Sequence, residues 1–261
     1  MSMSSSPTWA AHHVRTSTRS SIPLFVVITK RAVDLVASSV GLLLLAVLLP
    51  FLALAIYVDS PGPIFYRQRR AAAIKAGGRG GGFRLTSFWM LKFRSMRTDA
   101  EARTGAVLAQ QNDPRVTRVG AFLRRTRLDE LPQLWNVFRG DMSLVGPRPE
   151  RPELLQNLSL AIPFFEERMR DCKPGITGLA QISLTYSGGA PEGSAIAALA
   201  GPMTNPYGFE AARGALADDM RTKLLFDLAY VAGLARFSTF IVNELRIILL
   251  TPYVMLRGLG R

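Results

Sequence analysis

The chain has 261 residues, a formal net charge of +13, a single cysteine and two histidines. Cys172 alone can build no disulfide framework, zinc finger or iron–sulfur site, and His12 and His13 lie together near the N-terminus, so His-based triads and metal cages are excluded. Chemistry must therefore run on carboxylates, hydroxyls, lysine and arginine. Five of the 32 basic residues are lysine, which leaves 27 arginines. Arginine presents a planar, permanently charged fork that matches phosphate oxygens in pairs. That balance suits nucleic acid, anionic lipid headgroups or nucleotide-sugar diphosphates as partners, and a base-composition bias would produce it as well.

In chain order, residues 1–24 are rich in Ser, Thr and small side chains and read as a disordered tail. Lys30 and Arg31 follow, with Asp34 one turn on, placed to pair with either of them on a helix face or to stand solvated beside them. Leu35 to Val58 carry no charge. As a helix they extend about 36 Å, enough to cross a hydrocarbon core of about 30 Å. Pro50 lies inside the run, where a ring without an N–H kinks or breaks a helix. Basic residues flank both ends, with Arg67, Arg69 and Arg70 beyond it. The residues alone thus leave two topologies open, a simple span and a helix–break–helix hairpin dipping into one leaflet from the cytoplasmic face. Asp59-Ser60-Pro61-Gly62-Pro63 ends the segment as a stop and turn.

The remainder, residues 61–261, reads as a soluble domain. Gly77 to Gly82 holds five glycines around Arg79 without a phosphate-loop pattern and reads as a surface loop. Leu91 to Met96 alternates apolar and cationic, so a short strand there puts Lys92 and Arg94 on one face, to meet an anion or water. Between Asp113 and Gly140, Val119, Phe122 and Leu123 give one helical stripe. Leu128, Leu131, Trp135 and Phe138 give a second, with Asp129 and Glu130 at its start. Carboxylates at a helix start are ordinary dipole partners. Here Arg124, Arg125 and Arg127 precede them, and Arg148 follows in the rigid Gly146-Pro147-Arg148-Pro149 loop. Two adjacent carboxylates among arginines also suit phosphoryl transfer with a divalent metal. Near the C-terminus, residues 237–256 carry an apolar stripe at Phe237, Phe240, Ile241, Leu245, Ile248 and Leu249, interrupted by Glu244 and Arg246. It reads as a helix lying in a membrane interface, packed on the domain core, or both.

Taken in order, Lys30-Arg31 with Asp34, the apolar run, DSPGPIFYRQ, LKFRSM, DPRVTRVGAFLRRTRLDELPQLWNVFRGDMSLVGPRP, KPGITGLAQI and FDLAYV resemble the monotopic polyprenyl-phosphate phosphoglycosyl transferases, the bacterial sugar transferases, over residues 28–257. The resemblance implies a mostly helical α/β catalytic domain with few short strands, facing the cytoplasm at the bacterial inner membrane. It would carry interfacial amphipathic helices and be plugged into the anionic leaflet by a re-entrant helix–break–helix over residues 25–60, broken at Pro50. It implies transfer of a sugar 1-phosphate from a UDP-sugar to polyprenyl (undecaprenyl) phosphate with release of UMP, in polysaccharide assembly. Asp129 would be the nucleophile, forming an aspartyl phosphosugar. Glu130, with Asp129, would hold Mg²⁺. Lys92, Arg94, Arg124 and Arg148 would bind phosphates, and Lys173 and Gln181 would line the pocket. No nucleic-acid partner is implied, and a homodimer is compatible. Leu49 stands where the family often has serine before the proline. The stretch 72–88 is longer than usual, and 185–213 reads as a loop over the sugar. The rival readings are a membrane scaffold without catalysis and a transferase that passes only the sugar and releases UDP.

Overall fold

The computed structural model describes residues 22–76, 83–100, 113–162, 164–169, 172–184 and 216–257. The N-terminal tail, the glycine-rich loop and the segment 185–213 lie outside the described residues. In chain order the elements are α1 (Leu24–Asp59), β1 (Phe65–Ala76), β2 (Phe83–Phe93), α2 (Arg118–Thr126), a 3-10 turn (Leu128–Glu130), α3 (Gln133–Arg139), β3 (Ser143–Val145), α4 (Pro152–Ala161), a second 3-10 turn (Phe165–Met169), β4 (Gly175–Thr177), α5 (Leu179–Ser183), α6 (Leu216–Gly233) and α7 (Phe237–Arg257). The domain is mostly helical with few strands, as the sequence implies.

The apolar run folds as one 36-residue helix that begins after Pro23 and ends at Ser60, ahead of the Pro-Gly-Pro turn. The helix continues through Pro50. A proline costs the helix only its own N–H bond to the carbonyl four residues back, at Ala46, and a ring clash that a bend relieves. Ser38 and Ser39 give their hydroxyls to the Leu35 carbonyl, so neither needs an outside partner. Most of the helix is bare: Leu43, Val47 and Phe51 are about 70% exposed. α1 and α7 are the two described helices long and apolar enough to cross a membrane.

α1 nevertheless docks on the domain along its whole length. Val26 joins a core with Val145, Tyr230, Phe240 and Ile247, while Leu45 and Ile56 join another with Phe93 and Leu123. Asp34 does not pair with Lys30 or Arg31. It is buried, accepting the Ser143 hydroxyl at 3.0 Å and the Leu144 N–H at 2.9 Å. Lys30 instead reaches Glu244 of α7 at 2.7 Å and the Val145 carbonyl at 2.9 Å. Arg31 donates to the carbonyls of Val137 and Phe138 at the end of α3, at 2.7 and 2.8 Å. At the other end of α1, the Asp59 carboxylate accepts the N–H of Val119 in the first turn of α2, at 2.8 Å.

β1 and β2 pair antiparallel from Phe65↔Phe93 to Ala76↔Phe83, with an irregularity between Ala71 and Ala73. The long hairpin occupies the stretch noted as longer than usual in the sequence. β3 and β4 pair parallel. Asn136 of α3 ties its helix to β2, accepting the Leu91 N–H at 3.0 Å and donating to the Trp89 carbonyl at 2.8 Å. The Gly146 loop and the Pro174–Gly178 segment lock through Gly146 N–H to Thr177 and Gly175 N–H to Pro147, both at 2.9 Å. A Cβ on Gly175 would lie 2.1 Å from the Gly146 nitrogen, so only glycine permits this approach. α7 packs one face on the core through Phe240, Glu244 and Ile247 and leaves Val242, Leu245 and Leu249 exposed. Glu244, which interrupts the stripe in sequence, is the buried partner of Lys30 and accepts the Tyr230 hydroxyl at 2.5 Å.

A buried charge cluster braces the Arg148 loop. Arg168, 1% exposed, donates to the Arg148 carbonyl at 2.7 Å and stands 3.0 Å from the Asp227 carboxylate of α6, without the alignment of a hydrogen bond. Burial pushes the Asp227 carboxyl up to about 6, against the pull of Arg168. Arg168→Met strands Asp227 as an unpaired buried charge and should lower the unfolding free energy by about 3–5 kcal/mol. Denaturant titration in detergent micelles measures it, and the double variant Arg168→Met/Asp227→Leu should recover most of the loss.

Candidate active site

Asp129 and Glu130 do not open the following helix. They form the 3-10 turn between α2 and α3, with Pro132 at the start of α3. Arg127 ends α2 in the left-handed region at φ 58°, an uncommon conformation for a side chain without short polar groups. It reverses the chain sharply enough to turn both carboxylates inward, where both are buried.

The pair is asymmetric. Glu130 Oε1 receives the Lys92 ammonium and the Arg148 guanidinium, each at 2.9 Å, with Arg127 at 3.9 Å. Burial pushes the Glu130 carboxyl up, but Arg148, Lys92 and Arg127 together outweigh it and hold it well below the usual carboxylate range. Asp129 goes the other way: burial and the Glu130 charge raise it, opposed by Lys92, Arg124 and Arg127. Its Oδ1 is buried and accepts no hydrogen bond. Around them the cations crowd one another. Burial and the neighbouring Arg148 pull Arg70 down to about 10, while Arg70 holds the Pro149 carbonyl at 3.1 Å. Like charges held this close are relieved by an anionic ligand.

Of the residues singled out in the sequence, Asp129, Glu130, Lys92, Arg124 and Arg148 come together. Gln181 joins them by lining, with Glu130, Arg127 and Arg148, a cleft that continues between α3 and α7. Two do not join. Arg94 lies one residue past β2, and its guanidinium turns to the carbonyls of Ser60 and Pro61, clamping the turn after α1. The alternation that put it beside Lys92 holds only while the strand lasts. Lys173 lies beside Gly140 and Arg31, and the charges acting on it are Arg31, Asp34, Asp141 and Lys30. Pro50 lies in α1, outside the cleft lining.

Sequence reasoning missed Arg70, Arg168 and the α7 side chains Thr251, Val254 and Met255 that wall the cleft. A lone aspartate inside the apolar FDLAYV run was the available signal for a buried partner such as Arg168. Among the described residues no group of three His, Cys, Asp or Glu side chains converges. Mg²⁺ does not require one, since it binds through one or two carboxylates and fills its shell with water and substrate phosphates. The free, buried Asp129 Oδ1 beside Glu130 fits that donor chemistry.

A profile of the family described as "Bacterial sugar transferase" matches residues 25–258, and the chain belongs to that family. It is 47% identical over 156 residues to the "Undecaprenyl-phosphate glucose phosphotransferase" of Komagataeibacter xylinus, covering 59% of this chain and 27% of that protein. It is 43% identical over 158 residues to the "Exopolysaccharide production protein PSS" of Rhizobium leguminosarum, covering 59% and 74%. With the "UDP-N-acetylgalactosamine-undecaprenyl-phosphate N-acetylgalactosaminephosphotransferase" of Aeromonas hydrophila it shares 39% over 170 residues, covering 65% and 37%. The chain thus spans about a third of the length of two of these relatives and three quarters of the third.

The opposed shifts of the two carboxyls give a pH signature. If transfer requires Asp129 ionised, its raised carboxyl puts the acid limb of the rate above the ordinary Asp range of about 3.9. Glu130, shifted down, adds no limb there. Lys92→Met removes a cation that lowers Asp129, so its limb should move to higher pH. A pH–rate profile of wild type and variant reads the position of the limb independently of its height. An unmoved limb would mean that Asp129 is not the titrating group.

Proposed function

We propose that this protein transfers a sugar 1-phosphate from a UDP-sugar to polyprenyl phosphate at the cytoplasmic face of the bacterial inner membrane, in polysaccharide or glycoconjugate assembly. The observation that carries the proposal is the asymmetric pair: Glu130 pinned by Lys92 and Arg148, and beside it Asp129 with a buried oxygen that accepts no hydrogen bond. The Asp129 carboxylate attacks the phosphorus that bears the sugar. An oxygen–phosphorus bond forms as the bridging diphosphate bond breaks, and its electron pair leaves on UMP. An oxygen of polyprenyl phosphate then attacks the same phosphorus, the acyl phosphate bond breaks, and the carboxylate is regenerated. Arg148, Arg124 and Lys92 stabilise charge on the phosphoryl oxygens without reorganising. Asp129 and Glu130 would hold Mg²⁺, which supplies charge neutralisation of the diphosphate.

Asp129→Asn should abolish UMP release from a panel of UDP-sugars, and EDTA should stop wild-type turnover until Mg²⁺ is restored. UDP as the product, or UMP release that survives in Asp129→Asn, would replace this mechanism with transfer of the sugar alone or with another nucleophile.

We also read α1 as dipping into one leaflet. A straight 36-residue helix is about 54 Å long. A span would separate its ends by a hydrocarbon core of about 30 Å, yet Lys30 and Asp59 both bond to the one domain. Cysteines introduced at Thr29 and Ser60 should react with impermeant maleimide only from the cytoplasmic side in inverted vesicles. The native Cys172 is silent, because burial pushes its thiol up to about 12. Labelling of the two positions from opposite sides would establish a span.

A further inference from the structure

The transfer reaction proposed above needs a place for a lipid acceptor, and nothing in the family assignment says where its chain lies. The cleft that Glu130 and Arg148 open into has a volume of about 190 Å³. Its two ends differ in chemistry. One is charged, with Arg127, Glu130 and Arg148. The other is walled by Leu131 from the turn before α3, Leu134 of α3, Ile176 and Ile182 from the β4–α5 segment, and Val254 and Met255 from α7.

That second end abuts the membrane element. Leu134 packs so tightly on α1 that a Cβ on Gly41 would lie 2.8 Å from it. α7, the opposite wall, exposes Leu249 and Tyr253 beside the residues it turns into the cleft. A nucleotide sugar, polar along its whole length, would desolvate its hydroxyls against aliphatic side chains without replacing their hydrogen bonds. An amphiphile with an anionic head and a branched hydrocarbon tail matches both ends at once. Both amide atoms of Gln181, which lines the cleft, are buried with no partner, which leaves its Nε2 free to donate to a headgroup oxygen. Thr177 and Thr251, hydrogen-bonded at 2.8 Å, hold β4 and α7 together across the cleft.

We infer that this cleft is the acceptor subsite: the phosphate of the polyprenyl phosphate lies at Arg148, and its first isoprene units lie between Leu134 of α3 and Val254 and Met255 of α7. The inference rests on the proposed reaction, and its test has two arms so that the two can fail separately. In nanodiscs, Val254→Trp fills the tail end. The expected result is a KM for polyprenyl phosphate raised by about tenfold or more, while the burst of UMP released without acceptor is kept. A raised KM for the UDP-sugar instead would give the cleft to the donor. No change in either KM would also overturn the inference.

The second arm uses the wild-type protein and no turnover, so it stands even if Val254→Trp misfolds or no UMP burst occurs. A polyprenyl phosphate carrying a diazirine on its first isoprene unit is photolysed in the same nanodiscs, and the labelled residues are mapped. Labels on Leu134, Val254 or Met255, competed by unmodified polyprenyl phosphate, support the subsite. Labels confined to the exposed face of α1 overturn it. Loss of the UMP burst with cleft labelling intact would indict the proposed reaction and not the subsite.

Discussion

The structure depends on how one apolar helix completes the ends of two others. Helix termini leave backbone N–H and C=O groups without intrahelical partners, and those groups carry the ends of the macrodipole. α1 supplies a charge of the right sign to each. Its last residue, Asp59, takes an N–H at the start of α2, and Arg31, near its first turns, takes two carbonyls at the end of α3. The turn that carries Asp129 and Glu130 lies between α2 and α3, so it is bracketed by contacts to α1 at both sides. Asp34 extends the attachment to β3, from which the Arg148 loop departs. The position of the carboxylates relative to α1 is therefore fixed by polar bonds, while the apolar face of α1 is left exposed.

Within that frame, two neighbouring carboxyls acquire opposite characters from the same surroundings. Burial opposes the charge on both. Glu130 recovers it because two cations from different elements, Lys92 of β2 and Arg148 of the following loop, converge on a single oxygen. Asp129 feels Lys92, Arg124 and Arg127 only through space, and it also feels Glu130. The two carboxyls therefore differ in what holds them: Glu130 is pinned by direct ion pairs, whereas Asp129 keeps one buried oxygen without a hydrogen bond.

What the sequence made legible was the part of the molecule governed by local chemistry. The charge-free run from Leu35 to Val58 points to α1, and the density of carboxylate and arginine around Asp129 points to the charge cluster that Lys92 and Arg148 complete. Three of the misreadings concern side chains whose partners are remote. Asp34 was assigned to Lys30 or Arg31 by helical spacing, but its partners are more than 100 residues away. Arg94 was grouped with Lys92 by strand alternation, which stops at Phe93. Lys173 was drawn toward the pocket by its motif, although it is the glycines of that motif that approach the Arg148 loop while the ammonium faces Arg31.

Glu244 shows why such long-range pairs are retained. A carboxylate on the packed face of an otherwise apolar helix costs desolvation, which its bonds with Lys30 and Tyr230 offset. Replacing the group by hydrocarbon would keep α7 on the core but would lose the register that a directional ion pair imposes. That register matters because α7 has a second task two turns further on. Thr251 meets Thr177 there, and Val254 and Met255 wall the cleft beside Glu130 and Arg148. One helix thus joins the first turns of α1 to the apolar wall of the cleft. A slip of α7 by one turn would unpair Lys30 and displace that wall together, so the seating of α1 on the domain and the shape of the cleft are set by the same bond.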